Sequence, residues 1–214
     1  MRTLVIDSAT EACSVALFNA DALLAGAWRL LGRGHAEQLV PMIAALPGKG
    51  RADRIAVALG PGSFTGVRVG LAAARALALA WGIPAVGYAT LDLIAAQARA
   101  GRGGQALAVA TTGGHGEWFV ARYDAAGGAL GPLASLTPAA AAVQIGEAVV
   151  AGSQAEALVA LREHGEAVPL LPDARCFALL ADTALTLDLR PIYGRAPDAR
   201  LPPRDLPSGA LDAV

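Results

Sequence analysis

At 214 residues the chain suits one large domain or two small ones, and a fold of this size buries roughly 70% of its unfolded surface. Hydrophobic residues make up 55% of it and charged residues 16%, with alanine prominent, so close packing of small side chains is expected rather than membrane insertion. No apolar run reaches the roughly 20 residues that span a bilayer, the formal charge of -1 offers no broad basic face to nucleic acid, and Cys13 and Cys176 form neither a metal-binding nor a redox spacing; a cytoplasmic protein without metal is expected.

The N-terminus reads as a strand, Leu4 to Asp7, ending in an acid rather than as a signal peptide. Cys13 to Phe18 and Leu23 to Leu30 alternate as two further strands, joined by a turn at Asn19-Ala20-Asp21. An amphipathic helix follows from about His35 to Leu46, its stripe formed by Leu39, Met42, Ile43 and Leu46, and Pro47-Gly48 ends it. The strand Ile55 to Leu59 then leads into Gly60-Pro-Gly-Ser-Phe-Thr-Gly-Val-Arg-Val-Gly70, which opens an alanine-rich helix through Ala80. After a strand from Ala85 to Tyr88, Thr90 is placed to cap a helix from Leu91 to Ala100. Three hairpin-linked strands followed by right-handed crossovers predict a mixed sheet flanked by helices.

Gly101 to Gly104 reads as a boundary, giving two α/β domains, 1–101 and 102–214. A looser version of the same series follows it: strands at 106–110, 118–123 and 133–136, a helix through about Val143, a strand at 148–151, a helix from Gly152-Ser153 to about His164, a strand at 168–171, and a last helix from Asp173 to about Leu187. The two half-chains suggest a duplication of architecture without similarity of sequence. The Arg/Pro-rich stretch from Arg190 to Pro207 is expected to lie across the surface.

The glycine segment requires backbone to come close to something: a phosphate, the sheet, or another protein. A Walker-type loop fails because the chain's only lysine, Lys49, lies upstream of the strand. A dinucleotide fingerprint fails at Thr65, and a nucleophile elbow at Ser63 fails because Pro61 and Thr65 stand where glycines are needed. Packing gains weight from Gly66 and Gly70, one helical turn apart, and from the alanines that follow, which let the helix approach neighbours on more than one side. Asp7 and Thr10 resemble the acid-bearing turn of sugar-kinase and actin-like ATPases, but an ordinary strand-end turn explains them as well, and the matching position in the second half, Thr111 to Gly114, carries no carboxylate. His35, His115 and His164 are scattered, so no preformed metal site is expected.

Several of these stretches together resemble the bacterial TsaB family of tRNA threonylcarbamoyladenosine biosynthesis proteins: Ile6 to Leu17, His35 through Leu39 to Ile43, the glycine segment and Thr90-Leu91. In the second half Gly116-Glu117 and Pro191-Ile192-Tyr193-Gly194-Arg195 are the anchors. The resemblance implies a two-domain actin-like ATPase fold, built of duplicated ribonuclease H-like units, and a non-catalytic role with no cofactor. It also implies a heterodimer with a TsaD-like subunit that transfers the threonylcarbamoyl group, a TsaE-like ATPase in a larger assembly, a homodimer when alone, and contact with tRNA only through the complex. Where the catalytic relative carries a histidine pair, this chain has Val86-Gly87-Tyr88-Ala89-Thr90. Where the family usually has an Asp-Ala-Arg run, it has Thr112-Gly113-Gly114.

On this chain the implied partner interface falls on the first two helices, through His35, Leu39, Met42 and Ile43 on one and Arg68, Val69, Ala72, Arg75 and Ala76 on the other. Asp7, Thr10, Gly60 and Gly62 would line a vestigial nucleotide cleft. The rival reading is a small-molecule kinase or ATPase that uses Asp7 and the glycine turn. A peptidase would need a nucleophile–base pair or metal cluster, and no such pattern stands in the sequence.

Overall fold

A computed structural model describes residues 1–194. The first half runs β1 (Arg2–Asp7), β2 (Ala12–Asn19), β3 (Ala22–Leu30), α1 (His35–Ala44), β4 (Arg54–Ala58), α2 (Phe64–Trp81), β5 (Ala85–Tyr88) and α3 (Thr90–Arg99). The second runs β6 (Leu107–Thr112), β7 (Trp118–Tyr123), β8 (Ala134–Leu136), α4 (Pro138–Gln144), β9 (Val149–Ala151), α5 (Ala155–Arg162) and β10 (Glu166–Val168). The sheets have orders β3-β2-β1-β4-β5 and β8-β7-β6-β9-β10, the same permutation read along the chain. In each the first three strands pair antiparallel and the last two join in parallel. The protein is a two-part α/β fold in which each part is a mixed five-stranded sheet flanked by helices.

Strand position explains strand composition. The central strands β1 and β4 are covered on both faces and read as continuous apolar runs, Leu4-Val5-Ile6 and Ile55-Ala56-Val57, all with no exposed surface. In the second sheet the alternation separates two packing faces. Leu107 and Val109 meet α3 through Leu91, Ile94 and Ala98, whereas Ala108 and Ala110 meet α4 and α5 through Ala141, Ile145 and Leu158.

Three expectations about local structure are corrected. The last helix, expected over 173–187, is instead two short 3₁₀ turns, Ala174–Leu179 and Asp182–Ala184. The chain there spreads its apolar side chains over the first sheet, with Phe177 against Phe18 and Tyr88, rather than presenting one helical stripe. Thr90 does not cap α3; Ala89 holds the cap position without a side-chain bond, and Thr90 is buried as the first helical residue. The strand expected at 168–171 is Glu166–Val168. Of the surface stretch Arg190 to Pro207, Tyr193 meets Arg68 of α2 and Gly194 lies against Phe119, and residues 195–207, with the anchor Arg195, fall outside the described residues.

The halves exchange elements. Only Leu93 of α3 joins the first core, and the rest of its buried face joins the second. The segment after β10 returns to the first sheet, where the Ala174 N–H donates to Ser14 Oγ at 2.9 Å and Thr186 exchanges backbone bonds with Gly87. We propose that the domain division falls near Gly101, between α3 and β6, with each half lending an element to the other.

The glycine segment is resolved by packing. A side chain on Gly62 would overlap the Ala9 carbonyl, and one on Gly66 the Ser8 carbonyl, both backbone atoms of the β1–β2 turn. The same approach is fastened by Ser63 N–H donating to Ala9 O at 2.7 Å and Ser8 Oγ donating to Gly66 O at 2.8 Å. Gly66→Ala should therefore cost about 3 kcal/mol or more, because a carbonyl of the turn must move. Gly82→Ala, at a left-handed helix end with open space around it, should cost only about 1 kcal/mol. Chemical denaturation of the two variants checks the ranking, and equal losses would contradict it.

Candidate functional site

Four features converge where the two sheets face each other: the β1–β2 turn, the start of α2, the β6–β7 turn and the start of α5. They enclose a cleft of about 290 Å³ lined by Thr10, Gly62 and Ser63 from the first half and Thr112, Gly114 and Ser153 from the second. Thr112 N–H donates to Ser153 Oγ at 3.1 Å, and Gln154 Nε2 donates to Thr112 Oγ1 at 2.8 Å, so the second wall is tied together by neutral polar groups. Among the described residues, Glu11 is the one ionisable side chain on the cleft lining, and Thr111 Oγ1 is buried there without a hydrogen-bond partner.

Of the residues expected to line a nucleotide cleft, Thr10 and Gly62 do so; Gly60 and Asp7 lie outside the lining. Gly60 is buried under the C-terminal segment, close to the Ile192 carbonyl, and the Gly60–Pro61 peptide is cis. Asp7 is 1% exposed and points into the protein. Its Oδ1 accepts from Ala9 N–H at 3.0 Å and its Oδ2 from Tyr88 OH at 3.2 Å. Burial outweighs these two bonds and raises the carboxyl to about 7, and Tyr88, buried beside it, is itself pushed well above the usual phenol range. Asp7 thus clamps the end of β1 to the end of β5, and Cys13 nearby is pushed up to about 11, chiefly by burial.

The residues expected at a partner interface divide by helix. His35, Leu39, Met42 and Ile43 all lie against the first sheet, none more than 7% exposed, because the hydrophobic stripe of α1 is its core-facing side. His35 Nε2 sits 2.8 Å from the Thr10 carbonyl, which fixes Nε2 as the donor and makes the ring a support for the β1–β2 turn. The outward positions of α1 are Ala36, Glu37, Val40, Pro41 and Ala44 instead. On α2, Arg68, Ala72, Arg75 and Ala76 are exposed and Val69 is half-buried. The core-facing stripe of α2 is Gly66, Val67, Gly70, Leu71 and Ala74.

Sequence reasoning passed over the C-terminal segment as a contributor to this surface. Arg68 stacks over Phe64 with its guanidinium carbon 3.5 Å from the ring centroid and donates to Tyr193 OH at 3.3 Å, while Arg75 donates to the Leu189 carbonyl at 2.8 Å. Ile192 N–H donates to Leu59 O at 2.8 Å and holds the segment down. The signal available in the sequence was the run Pro191-Ile192-Tyr193, an isoleucine and an aromatic in an Arg/Pro-rich stretch.

Asp7 gives the site a pH signature. Its folded-state value lies above its unfolded one, so the folded chain holds the extra proton between about pH 4 and 7, and its contribution to stability falls as pH rises through that window. Relative to wild type, Asp7→Asn should gain stability across that window, by on the order of 4 kcal/mol at most, and hold the gain above it. Denaturation of both proteins across a pH series tests the sign; a difference that moves in favour of wild type with rising pH would refute it.

Comparison with known proteins places this architecture. Residues 29–169, more than half of the chain, match the family model described as TsaD: tRNA N6-adenosine threonylcarbamoyltransferase. The Escherichia coli tRNA threonylcarbamoyladenosine biosynthesis protein TsaB is 40% identical over 129 residues, which cover 58% of this chain and 55% of that protein, so the match spans about half the length of this relative. An uncharacterized Mycobacterium tuberculosis protein is 34% identical over 209 residues, covering 92% of this chain and 93% of its own. Among solved structures, YeaZ from Pseudomonas aeruginosa superposes with a TM-score of 0.73 at 28% identity, over 90% of this chain and 99% of that one. The chain therefore belongs to the family that the matching model describes, and within it is a TsaB-like protein.

Proposed function

We propose that the protein takes part in threonylcarbamoyladenosine formation on tRNA as a non-catalytic subunit, binding a TsaD-like subunit and stabilising its active arrangement. The observation that carries this reading is the outer face of α2. Only 28% of this 18-residue helix is buried within the chain, although its mean hydropathy is 1.2. Leu79 is 86% exposed, and Val40 on the neighbouring α1 is 60% exposed. Length and hydropathy alone would also suit a membrane span, but Gly66, Val67, Leu71 and Ala74 pack into the domain core and Arg68 and Arg75 stand on the outer side. An apolar, alanine-lined helix face carrying arginines is suited to a protein partner.

The mechanism is conformational: the partner's productive state is favoured to the extent that it binds this face better than its other states do. Recruitment of a TsaE-like ATPase, contact with tRNA through the assembly, self-association of the free protein, a cytoplasmic setting and the absence of a cofactor belong to the same reading. Among the described residues no group of three or more His, Cys, Asp or Glu side chains could hold a metal. The inward turn of Asp7 speaks against the kinase or ATPase alternative, whose acid must reach the cleft.

Ala72→Glu and Ala76→Glu place a charge on the outer face without touching the core and should each abolish co-elution with a TsaD-like subunit in size-exclusion chromatography. Their unfolding midpoints should stay near wild type, as surface substitutions do. Normal co-elution of both variants would overturn the interface assignment.

A further inference from the structure

A second hollow lies away from the cleft, between α3, the β7–β8 turn and the 179–184 segment, with a volume of about 490 Å³. That is within the range of small-molecule sites, roughly 300–1,000 Å³. Its α3 wall is the stripe Asp92, Ala95, Ala96 and Arg99, at the i, i+3, i+4, i+7 spacing of a single helix face, continued by the cap residue Ala100. Because three of those five are alanines, the wall leaves room that ordinary side chains would fill.

The hollow holds a carboxylate without a counter-ion. Asp92 Oδ1 accepts from Tyr123 OH at 2.7 Å, and Tyr123 is 3% exposed. Among the described residues, no other donor and no cation pairs with Asp92. Arg99, the cation on the same wall, is engaged elsewhere: its Nη1 donates to the carbonyls of Gln105 at 3.2 Å and Asp124 at 2.9 Å, and its Nη2 to that of Ala125. Those bonds fix the β7–β8 turn against α3, with Gly127 at φ 94 lying against the guanidinium, so the rim is formed before any ligand arrives. Burial pushes the Asp92 carboxyl upward even with the tyrosine bond, as expected of an acid lacking its cation.

We propose that this hollow binds a small primary amine with an apolar body, its ammonium on the free oxygen of Asp92 and its body along Ala95, Ala96 and Leu180. The ammonium supplies the missing donor and charge, and the hydrogen bond it forms is charge-assisted, in a place partly shielded from water. The Asp92–Tyr123 bond orients the carboxylate from behind. The proposal does not depend on partner binding at α2.

Isothermal titration of the full-length protein with phenethylamine at about pH 8, where the amine is charged, provides the test. Saturable binding is expected, weakened about tenfold for 2-phenylethanol, which keeps the body and loses the charge. Asp92→Asn should weaken phenethylamine binding by about tenfold or more while its amide still accepts from Tyr123. Ala96→Phe should block both ligands by filling the space. Chemical denaturation of each variant shows whether it is folded; if Asp92→Asn fails to fold, the alcohol comparison on wild type decides. Lack of saturation into the tens of millimolar, or equal affinity for the amine and the alcohol, or equal affinity of folded Asp92→Asn and wild type, overturns the proposal.

Discussion

The fold depends on the backbone-to-backbone contact between the β1–β2 turn and the start of α2. Ser8 and Ala9 lie so close to Gly66 and Gly62 that no side chain fits between them, and two hydrogen bonds lock the approach. The contact sets the height of α2 above β1 and β4, which in turn fixes which of its faces is core and which is open. It also shapes one wall of the cleft, since Thr10, Gly62 and Ser63 are carried by the two segments that touch. His35 supports the same turn from the other side through the Thr10 carbonyl. The turn is thus held by α1, α2 and the end of β1 together.

Seen this way, the glycine segment is a docking surface for the chain's own backbone. A glycine-rich strand-to-helix turn is also what a phosphate site looks like, since both need backbone exposed without Cβ atoms. What separates the two is what occupies the space above the glycines. Here the space above Gly62 and Gly66 is taken by carbonyl oxygens, which repel an anion. Ser63, as N-cap of α2, turns its hydroxyl to the Gly66 N–H and so engages one of the helix's free donors internally.

The first sheet was legible in the sequence because its strands are apolar runs of ordinary length separated by turn residues, α1 because its stripe recurs at helical spacing, and α2 because an alanine-rich run follows the glycine turn. The 173–187 segment was misread because Ala, Leu and Phe in that density satisfy a helical pattern, whereas their actual partners, Phe18 and Tyr88, are more than eighty residues away in the chain. The orientation of α1 was misread for a related reason. Periodicity identifies a stripe, but the stripe of a helix on a sheet is the side that packs, so His35, Leu39, Met42 and Ile43 were marks of burial rather than of a partner. Asp7 shows a third limit: an acid at a strand end looks the same in sequence whether it faces a cleft or a tyrosine from β5.

The Asp7–Tyr88 pair bears on what the cleft presents to a ligand. Asp7 ends β1, next to the turn that lines the space between the halves. In this chain the carboxyl turns inward to a phenol, and the opposite wall, Thr112 to Gly114 with Ser153, is neutral. The cleft is kept, and among the described residues Glu11 is the one ionisable side chain on its lining. With Arg68 stacked on Phe64 and bonded to Tyr193, and Arg75 bonded to the Leu189 carbonyl, ordered cationic side chains stand instead on the outside of α2. Each is held by its own chain, which would lower the conformational entropy lost in the proposed association. A helix whose inner face is fixed by backbone contact and whose outer arginines are braced by a segment from the far end of the chain is organised for recognition at its surface, and that is the property the proposed role requires.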